Sequence, residues 1–367
     1  MSRAKLEALG LNLPLLPTTS VGSFGKPDDL VAARGRHARN EITQEELQRL
    51  EERATEFWVR QQEEIGIDVL VDGEMYRGDM VAYFAQLMGG LTLGGLVRSY
   101  GNRYYHKPII VGEVKWPGPM TVAWWKRTQA MTRRPVKGML TGPYTIMDWS
   151  FNDHYPTRAH AAMALAREIR KEVEALIEAG CKLIQVDEPA LSVRAEELPV
   201  AIEAMHVVTD GLPAYFFTHV CYGAFEFIYP AMLELPVDNW DLEMSNSGLD
   251  LVELFREHPF TKDLSFGIVD VHTHAMEDPD LVKERVARAL SVLPAPQVWL
   301  DPDCGLKTRS VDETIGKLRL VVDAARAARR SLGGGFATSE GGSAPLPNLP
   351  PTDGAGKAGA RKRPTNR

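Results

Sequence analysis

The stretch TRAHAAMALAREIRKEVEALIEAG (157–180) followed by CKLIQVDEPALS (181–192) carries the reading that decides the fold. From Thr157 to Ala179 the apolar residues recur at helical spacing, and Gly180 is suited to the end of a helix. Leu183–Glu188 is then a short apolar run that closes on two carboxylates. A strand this apolar is buried on both faces, which calls for parallel neighbours covered by helices. Outward from this unit the same alternation recurs. Further β-type runs lie at Thr18–Phe24, Asp68–Glu74, Gly138–Pro143, Ala214–Cys221, Trp240–Ser245, Ser265–His272 and Gln297–Asp303. Helical stretches separate most of them. Thr43 to Ile65 opens with Thr43 and Glu46 spaced as a capping box, and about Val311 to Arg330 carries Ile315, Leu318, Val321 and Val322 on one face. Eight such units closing on themselves predict an α/β fold, the (β/α)8 barrel. The competitor, an open doubly wound sheet, would show a G-x-G-x-x-G turn after its first strand, and there is none.

Two segments depart from the alternation. At about 89–135, after the second strand, RSYGNRYYH (98–106) and PIIVGEV (108–114) predict an inserted β-hairpin. From Ser331 to Arg367 there are thirteen Gly and Pro residues, few large apolar side chains and a basic Arg361-Lys362-Arg363 cluster. Such a segment cannot bury enough surface to offset its ordering entropy. The expected organisation is one barrel over 1–330 and a disordered, solvated tail over 331–367.

Composition narrows the function. Apolar residues make up 44% and charged residues 25% of the 367-residue chain, with a net charge of −7. That balance excludes nucleic acid and anionic membrane as partners of the surface as a whole. With no apolar run of membrane-spanning length and no signal-peptide pattern at the start, a cytoplasmic location is expected. Cys181, Cys221 and Cys304 are too few and too scattered for a disulfide framework.

The polar residues collect at strand ends: Ser23, Asp72, Glu74, Asp187, Glu188, His219, Cys221, Glu243, His272, Asp303 and Cys304. In a barrel these ends share the face on which active sites are built. Residues two apart on a strand point the same way, so His219 and Cys221 can meet one ion. Alone, an H-x-C pair is a weak signal. With Cys304 and Glu243 on neighbouring strand ends it becomes an N, S, S, O ligand set, whose soft thiolates favour Zn²⁺. Cys181 precedes its strand, at the opposite end of the barrel, and is expected to be an inert buried thiol.

At these residues the chain resembles the cobalamin-independent methionine synthase family, specifically its C-terminal catalytic barrel. The blocks that carry the resemblance are LPTTSVGSF (16–24), DVLVDGEMYRGDMVAYF (68–84), MLTGPYTIMDWSF (139–151), IQVDEPALS (184–192), THVCY (218–222), LEMSNS (242–247), VDVHTH (269–274) and DPDCGLKTR (301–309). They run in family order over about residues 14 to 325. Full-length members carry a second, N-terminal barrel, so the chain resembles a short core form without it. The resemblance implies that His219, Cys221, Glu243 and Cys304 hold zinc. It assigns Val21, Gly22 and Ser23 to the amino-acid carboxylate, and Glu74 and Asp187 to its ammonium. Trp149 is matched to the surface on which the pterin of the methyl donor stacks, and His272 to proton transfer, with His274 left as an alternative. Two departures lie on the donor side: Val193 stands near a position where the family has an acid, and Asp148 replaces an amide.

The implied reaction moves a methyl group from a methyl-pterin of the folate type to the thiol of homocysteine, giving methionine. An accessory or methyl-carrier protein is a further expected partner on the donor side. The alternatives are a zinc-dependent alkyltransferase acting on another thiol such as coenzyme M, and the same homocysteine reaction with a methyl-corrinoid donor. The coenzyme M enzyme would have no need of an ammonium clamp, so Ser23, Glu74 and Asp187 favour homocysteine. A glycoside hydrolase would use paired carboxylates but has no need of the thiols, and a non-catalytic zinc protein would show zinc content without thiol-dependent turnover.

Overall fold

The computed structural model describes residues 2–98, 104–221, 225–245 and 250–333. The expected disordered tail lies outside these residues from 334 onward. Six parallel strands form one sheet in chain order: Lys137–Thr141, Leu183–Asp187, Tyr215–Val220, Asn239–Leu242, Asp263–Val269 and Val298–Pro302. The two N-terminal segments complete the ring through isolated pairings. Thr18 bridges Leu300 on one side, and its carbonyl accepts from Val69 N at 3.0 Å on the other. Leu70 then bridges Val136, next to the strand Lys137–Thr141. The expected (β/α)8 barrel is thus closed.

The first two segments are less regular than the sequence pattern suggests, and their chemistry explains it. Gly73 and Glu74 both take left-handed backbone conformations, with φ of 75° and 57°. The Asp72 carboxylate accepts from Glu74 N at 2.9 Å and so stabilises the turn. The second segment leaves the ring here and presents Glu74 at the barrel mouth.

Side chains on the remaining strands alternate strictly. Even positions such as Ile184, Val186, Phe216 and Val220 pack into the main core under the helices. Odd positions face the barrel axis. Its lower end is filled by Leu183, Tyr215, Phe217 and Trp299, packed with Val69 and with Leu6 of the helix Ser2–Ala8. That apolar plug leaves the opposite end, where the strands finish, as the open one.

The helices follow the sequence signals. Gln44–Ile65 has both halves of the Thr43/Glu46 capping box, and Arg158–Glu178 is capped by Thr157 and followed by Gly180 at φ 101°. The last helix runs Val311–Ser331. In the insertion, Gly89–Arg98 pairs antiparallel with Tyr104–Lys115, as expected. Phe151–Asn152 adds a third, parallel strand to that sheet. Among the described residues no helix is long and apolar enough to cross a membrane.

Candidate active site

His219 sits on the strand Tyr215–Val220, Cys221 follows it, and Cys304 follows Val298–Pro302. Their ligand atoms lie within 4.8 Å of one another. His219 Nδ1 lies 2.9 Å from Asp241 Oδ1, while Nε2 is buried without a conventional hydrogen-bond partner, beside the Cys304 thiol. The Cys221 thiol, and then burial, push the Cys304 thiol above its ordinary pKa. Two crowded thiols and an unsatisfied ring nitrogen form a donor set that a divalent cation would satisfy, so the residues fit a metal ion.

Glu243 stands apart from that group of three. Its Oε1 is 2.9 Å from His272 Nε2. Asp303 fixes the segment that carries it, accepting from Met244 N and Ser245 N at 3.1 and 3.0 Å. Of the two histidines between which the sequence did not choose, His272 pairs with Glu243, and neither of the two is among the residues that line the cleft over the cluster. His274 is on the exposed surface, with Nδ1 2.8 Å from Glu313 Oε1.

A cleft opens over the cluster, lined on one side by Val21, Ser23, Glu74 and Asp187. Its backbone is closely knit. A Cβ added at Gly22 would meet Glu74 Oε1 at 2.8 Å, and one at Gly305 would meet Ser23 Oγ at 2.2 Å. Ser23 O also accepts from Leu306 N at 2.7 Å, tying the first barrel segment to the loop that carries Cys304. Asp187 accepts from Gln185 Nε2 at 2.8 Å, and burial pushes its carboxyl up to a pKa of about 7. Arg77, which the sequence reading passed over, is buried behind this wall, donating to Met139 O at 2.9 Å and standing 3.6 Å from Glu74. The three-residue spacing of Glu74 and Arg77 in GEMYRGD was the available signal.

The facing wall is made of Trp149, Tyr105 and Val193. Trp149 caps the short helix Pro143–Asp148, and its ring centroid lies 5.9 Å from that of Tyr105, at 44°. Tyr105 comes from the inserted hairpin and was not singled out in the sequence, where nothing indicates that the hairpin folds over the barrel mouth. Val193 is 48% exposed. The Asp148 carboxylate is held by Arg158 and Arg194. Lys26 and Lys307 stand at the cleft edge. Cys181 is buried at the start of its strand, its thiol pushed up to about 12 by burial.

A ligand group of thiols and imidazole, under a cleft edged by buried carboxylates, at the open end of a (β/α)8 barrel: this defines a barrel protein with a metal-type centre on its functional face. The chain belongs to the cobalamin-independent synthase family, whose catalytic-domain model matches residues 16–327. It is 40% identical over 345 residues to a 5-methyltetrahydropteroyltriglutamate–homocysteine methyltransferase of Bacillus licheniformis, covering 90% of this chain and 45% of that protein. With the protein of the same name from Bacillus velezensis it shares 39% identity over 343 residues, 89% of this chain and 45% of the relative. The chain therefore spans about half the length of the curated relatives it matches. Among solved structures, a B12-independent methionine synthase from Shewanella sp. W3-18-1, in complex with selenomethionine, superposes with a TM-score of 0.77 at 26% identity. The match covers 87% of this chain and 99% of that one.

Proposed function

We propose that the chain is a zinc-dependent methyltransferase that moves a methyl group from a methyl-pterin of the folate type to the sulfur of homocysteine, yielding methionine. The observation that carries this reading is the convergence of His219, Cys221 and Cys304 beneath one cleft whose walls hold Ser23, Glu74 and Asp187 on one side and Trp149 on the other. The relatives' names and the Shewanella complex with an amino acid support it. Glu243 is the fourth ligand in this reading. A carboxylate has two oxygens, so one can turn to the ion while the other keeps His272.

Bound zinc would supply deprotonation of a coordinated thiol at neutral pH, where a free thiol is mostly protonated. The chain's own residues do the rest. Glu74 and Asp187 face the ammonium of the amino acid, and the backbone at Val21–Ser23 receives its carboxylate, which fixes the sulfur in register. Trp149 stacks the pterin so that its methyl group faces that sulfur. The sulfur attacks the methyl carbon in line, the C–N bond breaks, and the electron pair stays on the pterin nitrogen. An amine leaves only when protonated, and in this reading His272, which the family resemblance matches to proton transfer, delivers that proton.

The test combines metal analysis with methionine formation by the purified protein, using methyltetrahydrofolate and methylcobalamin, each with and without cell extract. About one zinc per chain and turnover with the folate donor are expected. Turnover with the corrinoid alone would replace the pterin part of the reading. Stimulation by extract would bring in an accessory protein. Equal rates with homocysteine and a plain thiol such as coenzyme M would remove the ammonium clamp.

A further inference from the structure

Below the ligand cluster, on the barrel axis, lies a layer of buried polar side chains for which the proposed reaction has no direct use. Lys137, Gln185, Asp241 and Asp301 are all fully buried, on inward positions of four strands. Lys137 Nζ donates to Gln185 Oε1 at 2.6 Å, and Gln185 Nε2 donates in turn to Asp187 at 2.8 Å. On the other side, Asp241 Oδ1 is 2.9 Å from His219 Nδ1. Asp241 Oδ2 and both oxygens of Asp301 find no N–H or O–H donor. Burial, and then the Asp241 carboxylate, hold the Asp301 carboxyl far above the usual carboxylate range.

We propose that Asp241 is a positioning residue for the metal: by accepting from His219 Nδ1–H it fixes the ring tautomer and orientation that aim Nε2 at Cys221 and Cys304. The inference rests on the zinc reading above. A neutral imidazole carries its proton on one nitrogen only, and the bond made by that nitrogen decides which one is left for an ion. Here the two ring nitrogens have unlike surroundings: a carboxylate at Nδ1 and two thiol sulfurs in the direction of Nε2. An acceptor that also carries negative charge makes the ring a stronger ligand than a neutral one would. Asp241 cannot stray toward solvent, since it is sealed between the apolar plug below and the cleft above. Burial lowers the pKa of the Lys137 ammonium, and the nearby Asp241, Asp301 and Asp187 carboxyl groups oppose that shift.

The experiment measures zinc affinity of the full chain by competition with a chromophoric chelator at one fixed pH. The absorption spectrum of the cobalt(II)-substituted protein and the nitrogen-15 signature of the histidine rings serve as readouts of ligand geometry. Asp241→Ala is expected to weaken zinc binding by about 10–100-fold, to alter the cobalt spectrum and to leave His219 in mixed tautomers. Asp241→Asn, which keeps an acceptor oxygen without the charge, should fall at the low end of that range. Parent-level zinc affinity and an unchanged cobalt spectrum in Asp241→Ala overturn the proposal. If that variant does not fold, the same result in Asp241→Asn does so. Failure of the underlying reading looks different: the parent would bind no zinc, or Cys304→Ser would keep it.

Discussion

On one wall of the cleft Ser23, Glu74 and Asp187 are locked among glycines, backbone hydrogen bonds and a buried arginine; on the other, Trp149, Tyr105 and Val193 stand at the end of a short helix, on the inserted hairpin and at the end of the 3-10 helix Pro189–Val193. Asp187 is 8% exposed and Val193 48%. The first wall is part of the barrel's own closure, because Ser23 joins the loop behind Cys304. It is therefore as rigid as the fold. Of the second group only Tyr105 comes from the insertion; Trp149 and Val193 end short helical turns that follow the barrel strands Lys137–Thr141 and Leu183–Asp187. The difference is one of burial: the residues proposed to hold the amino acid are tied into the barrel's closure, and the donor side carries the more exposed positions.

Four experiments would break or sharpen that contrast. The largest effect is expected at the floor beneath both walls. Cys304→Ser should abolish both zinc content and turnover, while Cys181→Ser keeps both, as read by atomic emission and methionine formation. Loss of zinc in the Cys181 variant alone would falsify the ligand assignment.

Next comes the rigid wall. If Asp187 is the proposed charge partner of the ammonium, Asp187→Asn should cost about 2–5 kcal/mol in homocysteine use, with zinc content unchanged. The same residue predicts a pH dependence. Its carboxyl has a pKa of about 7 without ligand, and an ammonium beside it favours the ionised form, so the pKa is lower in the complex. Binding therefore releases a proton below pH 7. Affinity should be flat above that pH and fall about tenfold for each unit below it until the pKa of the complex is reached. A thiol-free amino acid such as norleucine isolates this term from thiol ionisation. A flat profile in the parent, or an unchanged slope in Asp187→Asn, would assign the dependence elsewhere.

The second wall should respond more weakly. Trp149→Ala is expected to raise the KM for the folate donor by roughly tenfold or less, about 0.5–1.5 kcal/mol, and to leave homocysteine affinity alone. An effect on homocysteine larger than on the donor would mean that the two walls are not separate.

The smallest effect is expected from neither wall. Removing residues 335–367 should leave Tm and turnover nearly unchanged, because the composition of that segment offers no packing face. A drop of several degrees in a melting curve would contradict that.

The sequence made the first wall readable and the second only in part. Alternation of strands and helices located all eight barrel segments, and the polar residues at their ends marked the ligand cluster and Asp187. It did not reveal that Gly73 and Glu74 would turn the second segment out of regular pairing, because a left-handed turn depends on φ values that a β-type pattern does not encode. Nor did it distinguish Asp241 and Lys137 from surface charges. In a parallel barrel both faces of a strand are buried, so the polar–apolar alternation that would show which side a carboxylate faces is weak. Trp149 was visible through family resemblance alone. Its neighbour Tyr105 was not, since its place depends on how an insertion folds back over the barrel.

The hydrogen bond from Leu306 N to Ser23 O has a consequence for the order in which the protein comes into being. During synthesis Ser23 leaves the ribosome long before Leu306, and His219 and Cys221 are made before Cys304. A nascent chain thus holds a partial donor set with no cleft around it, at a stage when any captured ion would be bound by the wrong partners. Only the last strand and its loop bring the third ligand and lock the first segment in place. The cluster is a seam between the beginning and the end of the barrel, and its three donors come together only once the last strand is in place.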